Sequence, residues 1–540
     1  MDNFGEVTIL RKYRNFFINL IFPAVIFGSV TGVLTSVVIT LYKVCAKHVI
    51  AFSEAGYDFL RHHLLWVIPV LAVLVGVAFL FAFIYRRVPN LRGGGIPTSI
   101  GILRGILPCR WLTNLVGLFF MSLTSFLIGV PLGNEGPSVQ MGTAVGQGSV
   151  RTLAKKHRAW DRYSMTGGAC AGFSIATGAP ISGILFSIEE AHQRVSPMIL
   201  IVASTSVLFA GITTEFLAPL FSVSTSLFPK MDLMTLHAGD IWIPLVVGIV
   251  MGLFAVLFLR YYTVVAALWK KKLKKVPQGW KIFCIFALTV LLGLCSFSFV
   301  STGHELILSL LEGREALMML LLILAVRSTL TLFANTNGIT GGIFLPLISL
   351  GAVLASMLGQ VVENLFGLGE PYYAMILVLG ITGCISGMMK MPLTAIVFAV
   401  EALSCYDNIL YVIIVAVTAF SITEIFDVHS INDTVLEGRA HAQNEGKESR
   451  VIDTFVTVQE NSFAIGKQIR DIFWPQNLFV LSVQHGENHG AEVDEHGGKE
   501  IRQGDILHVR YSTYDEARTA EELMAIVGEQ EFAQLVDTVI

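Results

Sequence analysis

Three glycine–proline clusters interrupt otherwise apolar sequence: GGGIP at 93–97, GNEGP at 133–137 and GGIFLP at 341–346. Glycine lets backbone approach a ligand closely. Proline fits the first turn of a helix, where its missing N–H costs nothing. Each cluster therefore predicts a loop opening a helix whose N-terminal amides face inward. Such a helix end, with free N–H groups and a positive dipole, is an anion site. Three converging ends would hold an anion without lysine or arginine, with Gly94, Gly95, Ile96, Gly133, Gly136 and Gly342 as candidate contacts. The competing reading is three re-entrant turns with no ligand.

Glu135 stands inside the second cluster. Ionisable residues within membrane segments are candidates for function by default. When ionised its carboxylate can occupy the anion site, and protonation or a competing anion displaces it. A capping carboxylate with a structural role is the alternative. Glu189 and Glu190 end the apolar stretch ISGILFSI. One of them is a candidate for the cytosolic end of a proton route. The alternatives are an ordinary helix-end pair and an ion pair with Arg194.

The elements that must position these groups belong in lipid. The 540 residues are 54% apolar and 14% charged, with a mean hydropathy of +0.68, whereas soluble domains carry about 25% charged residues. A transmembrane helix needs about 20 apolar residues. Such runs lie near 16–42, 64–84, 112–132, 164–188, 197–219, 241–268, 282–300, 305–333, 347–366, 373–400 and 409–426. Two segments repeat. GACAGFSIATGAPISGILFSIEEA (168–191) aligns with ITGCISGMMKMPLTAIVFAVEAL (381–403) at an offset of 212, and Pro137-x4-Gly142 returns as Pro346-x4-Gly351 at 209. Halves with broken helices at matching places are the signature of a transporter built from a repeat.

The net charge of −3 excludes a general nucleic-acid binder. It divides into +7 over residues 1–450 and −10 over residues 451–540. The seven cysteines all lie in the apolar part and none makes a CxxC pair, so no zinc site, other metal or disulfide framework is indicated. Arg11, Lys12 and Arg14 before the first span place the N-terminus in the cytosol, and WKKKLKKVPQGWK (269–281) reads as a cytosolic loop. No HExxH, GxSxG or TVGYG motif occurs, which argues against an enzyme and against a potassium channel. The polar stretch 437–450 reads as a linker. Beyond it VIDTFVTV, FVLSVQH and ILHVRY predict strands, and about 515–527 predicts a helix. His485, His489, His496 and His508 are scattered over this polar module and read as solvated histidines.

GGGIP, GNEGP, GAPISGILFSIEE, GGIFLP and MPLTAIVFAVEA, in that order over roughly 15–436, resemble the signature segments of the CLC chloride channel and chloride/proton antiporter family. The resemblance implies an all-α polytopic fold of inverted repeats of broken helices, assembled as a homodimer with one anion path per subunit. It assigns Glu135 to the external gate and proton acceptor, and Ile343 and Phe344 to backbone amides of the central anion site. Glu190 matches the internal proton-transfer glutamate of the antiporters, which favours exchange over a passive voltage- or pH-gated channel. Three positions depart from the family pattern. Gly94 replaces a serine, Asn432 falls where the central tyrosine contacts the anion, and Asn134 replaces a basic residue.

TVQENSFAIGKQIRDIFWPQNLFVLSV and IRQGDILHVRY, through Ser462, Gly466, Lys467 and Gly504-Asp505, resemble the C-terminal subdomain of TrkA-type potassium-transport regulators. That resemblance implies a module that dimerises and takes small cytosolic ligands, cyclic dinucleotides among them. The expectation is therefore an anion-transport domain at 1–436, a linker at 437–450 and a small cytosolic α/β regulatory domain at 451–540. The whole is a multi-pass protein of the cell membrane with both termini in the cytosol. It takes chloride or a similar anion together with protons, and no cofactor or nucleic acid.

Overall fold

The structure is a computed structural model that describes residues 17–93, 95–444, 446–485, 497–530 and 533–539. Gly94, His489 and His496, like Arg11, Lys12 and Arg14, lie outside the described residues. Among the described residues ten helices are long and apolar enough to cross a membrane. In the first half α1 is Phe22–His62, α2 Val67–Arg87, α3 Ile96–Leu103 and α4 Trp111–Ile128. It continues with α5 Glu135–Leu153, α6 Asp161–Thr177, α7 Pro180–Phe186 and α8 Pro197–Phe221. In the second half α9 is Trp242–Lys272, α10 Gln278–Cys295, α11 His304–Glu312 and α12 Leu317–Thr336. Then come α13 Phe344–Phe366, α14 Glu370–Met389, α15 Pro392–Ala402, α16 Ile409–Ile425 and α17 Ile431–Asn444.

Three apolar runs that read as single spans are each broken in two. The run 164–188 divides into α6 and α7 at Gly178, whose φ of +71° turns the chain sharply. A side chain there would also sit 2.6 Å from the Thr225 carbonyl. The matching position 212 residues on is Lys390, left-handed at φ +57° between α14 and α15, with its Nζ 2.7 Å from Glu424 Oε1. The run 305–333 divides into α11 and α12 around Gly313. The polar stretch at 437–450 is also different, because α17 runs through it to Asn444.

Helix α5 matches none of the apolar runs, and its packing explains why. A Cβ on Gly142 would lie 2.0 Å from the Gly168 carbonyl oxygen, and one on Gly168 would lie 2.0 Å from that of Gly142. Gly146 meets Ser164 and Gly172 meets Ser138 in the same way. Small residues four apart let α5 and α6 pack backbone on backbone. From Glu135 to Val150 the helix is enclosed by protein, so that stretch needs no apolar surface for lipid. In the second half Gly351 and Gly380 bring α13 and α14 together against Cys384 and Ala355.

The tail forms an antiparallel sheet of order β2-β3-β1-β4, where β1 is Arg450–Thr457, β2 Leu478–Gln484, β3 Ile506–Thr513 and β4 Ala533–Val539. Helix α18 is Glu516–Val527, and the Asp515 side chain accepts from the Arg518 amide at its start. Ile452, Val456, Leu507, Val509, Leu523 and Ile526 fill the core between sheet and helix. Three strands and the helix match expectation; β4 is an addition. The two described histidines are not free in solvent. His485 Nδ1 lies 2.8 Å from Asp505 Oδ1, and His508 bonds Asp453. Burial pushes the Asp453 carboxyl up, but hydrogen bonds from Arg510 and His508 outweigh it and hold the group below the usual carboxylate range.

Candidate functional site

The three glycine–proline clusters meet at one point. A Cβ on Gly95 would lie 3.0 Å from Gly136 Cα, and one on Gly136 would lie 2.6 Å from Gly342 Cα. Gly342 in turn would strike the Gly136 amide nitrogen at 2.6 Å. Only glycine permits this approach, so the residue type at all three positions follows from the geometry. Gly133 and Gly342 exchange both backbone hydrogen bonds, N to O at 2.7 and 2.8 Å, which pins the second loop to the third. The Gly95 amide donates to Gln140 Oε1 on α5, which ties the first loop to the same frame. Helices α3, α5 and α13 all start here, with Pro97, Pro137 and Pro346 in their opening turns. Ile96, Ile343 and Phe344 are buried beside the junction, and Phe344 packs against Phe173 and Phe398. Of the expected anion contacts, only Gly94 cannot be placed.

Glu135 is wholly buried, and neither carboxylate oxygen has a hydrogen-bond partner among the described residues. Its Oε2 lies over Gly133, where a Cβ would be 2.3 Å away and the Leu345 Cβ is also adjacent. The backbone amides of Glu135 and Leu345 face the carboxylate without completing a well-formed bond. A buried carboxylate is normally fully paired. An unpaired one resting on two helix starts is held there by N–H dipoles and nearby positive charge rather than by a formed hydrogen bond. Lys43, on α1, is the positive charge in electrostatic reach of Glu135. Its Nζ donates to the Ile175 carbonyl at 2.9 Å. Sequence reasoning missed it, because 92 residues separate it from the carboxylate it faces.

Glu190 and Glu189 have different environments. Glu190 is buried on the turn Ser187–His192 and accepts a hydrogen bond from Asn432 Nδ2 at 2.9 Å. Asn432, expected at the anion, thus commits one amide hydrogen to the carboxylate, while its Oδ1 is buried without a partner among the described residues. Arg104 fixes the turn by donating to the carbonyls of Glu190 and Ala191 at 2.8 and 3.0 Å. Glu189 makes no bond to Arg194. Its carboxylate caps α15 instead, accepting from the Leu393 and Thr394 amides at 2.9 and 2.7 Å and from the Thr394 hydroxyl at 2.7 Å. Glu401 returns the contact, capping α7 through Ile181, Ser182 and the Ser182 hydroxyl at 2.8, 2.9 and 2.9 Å. The two residues that align at an offset of 212 therefore cap each other's half.

Removing either cap strands two amides where little water reaches. Glu189→Ala and Glu401→Ala will each cost about 1–2 kcal/mol, the range for a lost N-cap. Thermal unfolding of the purified protein in detergent reads this as a lower midpoint for each variant. A midpoint unchanged in both would show that the caps carry no stability.

The tail reaches the same region. Phe473 is buried among helices of the first half, between the guanidinium groups of Arg162 and Arg194, which lie 4.9 and 4.7 Å from its ring centre. Its ring also faces His192, at 4.5 Å between centres, two residues beyond Glu190. Arg162 donates to the Trp474 carbonyl at 2.7 Å, and the Tyr163 hydroxyl donates to that of Asp471 at 2.7 Å. No group of three or more potential metal ligands occurs among the described residues.

A family model described as "Voltage gated chloride channel" matches residues 76–424. The H(+)/Cl(-) exchange transporter ClcA of Salmonella paratyphi A is 27% identical over 427 residues, 77% of this chain and 88% of that protein. A slow cyanobacterial Cl-/H+ antiporter shares the fold, with a TM-score of 0.71 at 23% identity over 78% of this chain and 99% of its own. A CLC-type fluoride/proton antiporter does so with a TM-score of 0.61 at 20% identity over 75% and 96%.

Proposed function

The chain belongs to the voltage gated chloride channel family, and from that premise we propose that it exchanges chloride for protons across a membrane. The meeting of Gly95, Gly136 and Gly342 beneath an unpaired Glu135 carboxylate carries this reading. Amides at the starts of α3, α5 and α13 hold the anion, and ionised Glu135 competes for the same place. Glu190, oriented by Asn432, passes protons between Glu135 and the tail side. Glu135 is thus the outer gate and Glu190 the inner relay. The exchange names of the curated relatives support the pairing of chloride with protons.

The basic segment after α9 supports a cytosolic tail. Trp269 Nε1 and Gln278 Nε2 both bond Asn337, so this segment lies against the loop before α13. That loop also meets Arg92, and Arg92 neighbours Arg439 on α17, which leads into the tail. Excess lysine and arginine mark the cytosolic face. The docked Phe473 supports a regulatory role for the tail, with small ligands such as cyclic dinucleotides as its class of effector. A homodimer completes the proposal.

Vesicles containing the purified protein and given a chloride gradient will drive protons uphill against a pH gradient. Fluorescence from a trapped pH dye reads the movement. A chloride current whose reversal potential ignores the pH gradient would make the protein a channel instead.

A further inference from the structure

We propose that the cavity between the tail and the base of the membrane helices binds the phosphate of an anionic phospholipid, a site that rests on the cytosolic placement of the tail proposed above. The cavity holds about 450 Å³, within the range of sites that take a small ligand. One wall is the loop from α3 to α4, and a second is the end of α5 with the start of α6. The third is helix α18 of the tail, with Phe473 beside it.

Five arginines line this space: Arg110, Arg151, Arg158, Arg162 and Arg518. Asp161, Glu521 and Glu522 line it too, and each carboxylate already serves one arginine. Arg151 Nε lies 2.9 Å from Asp161 Oδ2, Arg158 pairs with Glu521, and Arg518 Nε lies 2.9 Å from Glu522 Oε1. Arg110 and Arg162 are left over. Arg110 is exposed and makes no side-chain hydrogen bond or ion pair among the described residues. Arg162 donates to the Leu103 and Trp474 carbonyls at 2.7 Å each, which satisfies its N–H groups and leaves its charge unmatched. A phosphate supplies that charge and accepts from guanidinium groups in pairs.

The surroundings decide where the phosphate comes from. Residues 151–162 carry Arg151, Lys155, Lys156, Arg158 and Arg162 against the single acid Asp161. A basic cluster at the cytosolic end of membrane helices recognises anionic headgroups. Leu112, Val116 and Phe120 are exposed and spaced four apart on α4, so an apolar stripe starts two residues beyond Arg110. Acyl chains bury that stripe, whereas a free phosphate gains nothing from it. The lipid also joins the two parts of the protein. Arg518, on the tail wall, donates to the Gly105 carbonyl of the opposite wall at 3.1 Å, and the headgroup reinforces this link. Phe473 borders the same cavity and docks beside the Glu190 turn, so bilayer charge sets how firmly the tail is held there.

The test follows thermal unfolding of the full chain in neutral detergent as phosphatidylglycerol or phosphatidylcholine is added. Phosphatidylglycerol will raise the midpoint to a plateau, and phosphatidylcholine will not. Arg110→Gln will raise the mole fraction that gives half the rise by about tenfold, the order expected for loss of one charge-assisted contact. Arg110→Lys will recover part of the loss. Lys274→Gln, in the other basic segment, will leave half-saturation in place. An equal rise with both lipids, or an equal weakening by Lys274→Gln, reduces the effect to unspecific attraction and overturns the site. Unchanged half-saturation in Arg110→Gln puts the headgroup elsewhere and overturns it too. Glycerol phosphate tests the source: a rise with it alone at matching concentration makes the ligand a soluble phosphate ester and overturns the lipid. These readouts need no chloride movement, so failure of the exchange reading is seen separately.

Discussion

The Glu190→Gln protein will carry anions but pump no protons. Glutamine keeps the length of the side chain and an oxygen that can accept from Asn432 Nδ2, now 2.9 Å from Glu190 Oε1. The turn around it is fixed through backbone carbonyls by Arg104, which the substitution does not touch. Only the ability to take up and release a proton is lost. A positioned acid–base group contributes about 10²–10⁴-fold to proton transfer, so proton flux will fall by at least about a hundredfold. Simultaneous recording of chloride efflux and internal pH in vesicles separates the two ions. Proton pumping at the wild-type rate would remove Glu190 from the route.

Glu135→Ala will leave anion flux in place and make it indifferent to pH. In the native protein the carboxylate rests over Gly133 with no hydrogen bond among the described residues, in the space assigned above to the anion. Acid protonates it and weakens its hold on the helix starts, so native flux will rise as pH falls. Alanine has no charge to compete at any pH, and the profile flattens. Protons lose their outer acceptor at the same time, so coupling disappears together with pH dependence. The same efflux assay, repeated from acid to neutral pH, reads both changes. A variant whose flux still climbs in acid would place the gate elsewhere.

The central site was legible because its chemistry sits in backbone, and only glycine and proline mark such backbone. Gly95, Gly136 and Gly342 were named from the glycine–proline clusters that contain them, and the structure brings them into contact. Helix α5 was not legible as a span. Its contact face is made of Gly142, Gly146 and Ser138, so hydropathy fails where close packing replaces apolar bulk. From the residues alone Glu189 and Glu190 could not be told apart, and only the family resemblance singled out Glu190. Glu189 is defined by α15, 204 residues away, and Glu190 by Asn432, 242 residues away. Lys43 escaped for the same reason, since it has meaning only through a distant partner. The tail strands were readable from alternation, whereas the docking of Phe473 depends on two arginines more than 270 residues earlier.

The mutual capping of α7 and α15 sets a timetable for biosynthesis. When α7 leaves the ribosome, the glutamate that will satisfy its first amides is still 220 residues from being made. Uncapped N–H groups in a lipid interior are costly, so the first half is less settled until its cap arrives. Its first amides stay with water or the insertion machinery until Glu401 arrives. Glu189 then closes α15 in the same event. The two halves thus mature together, and a chain truncated before residue 401 would leave an immature first half for quality control to remove.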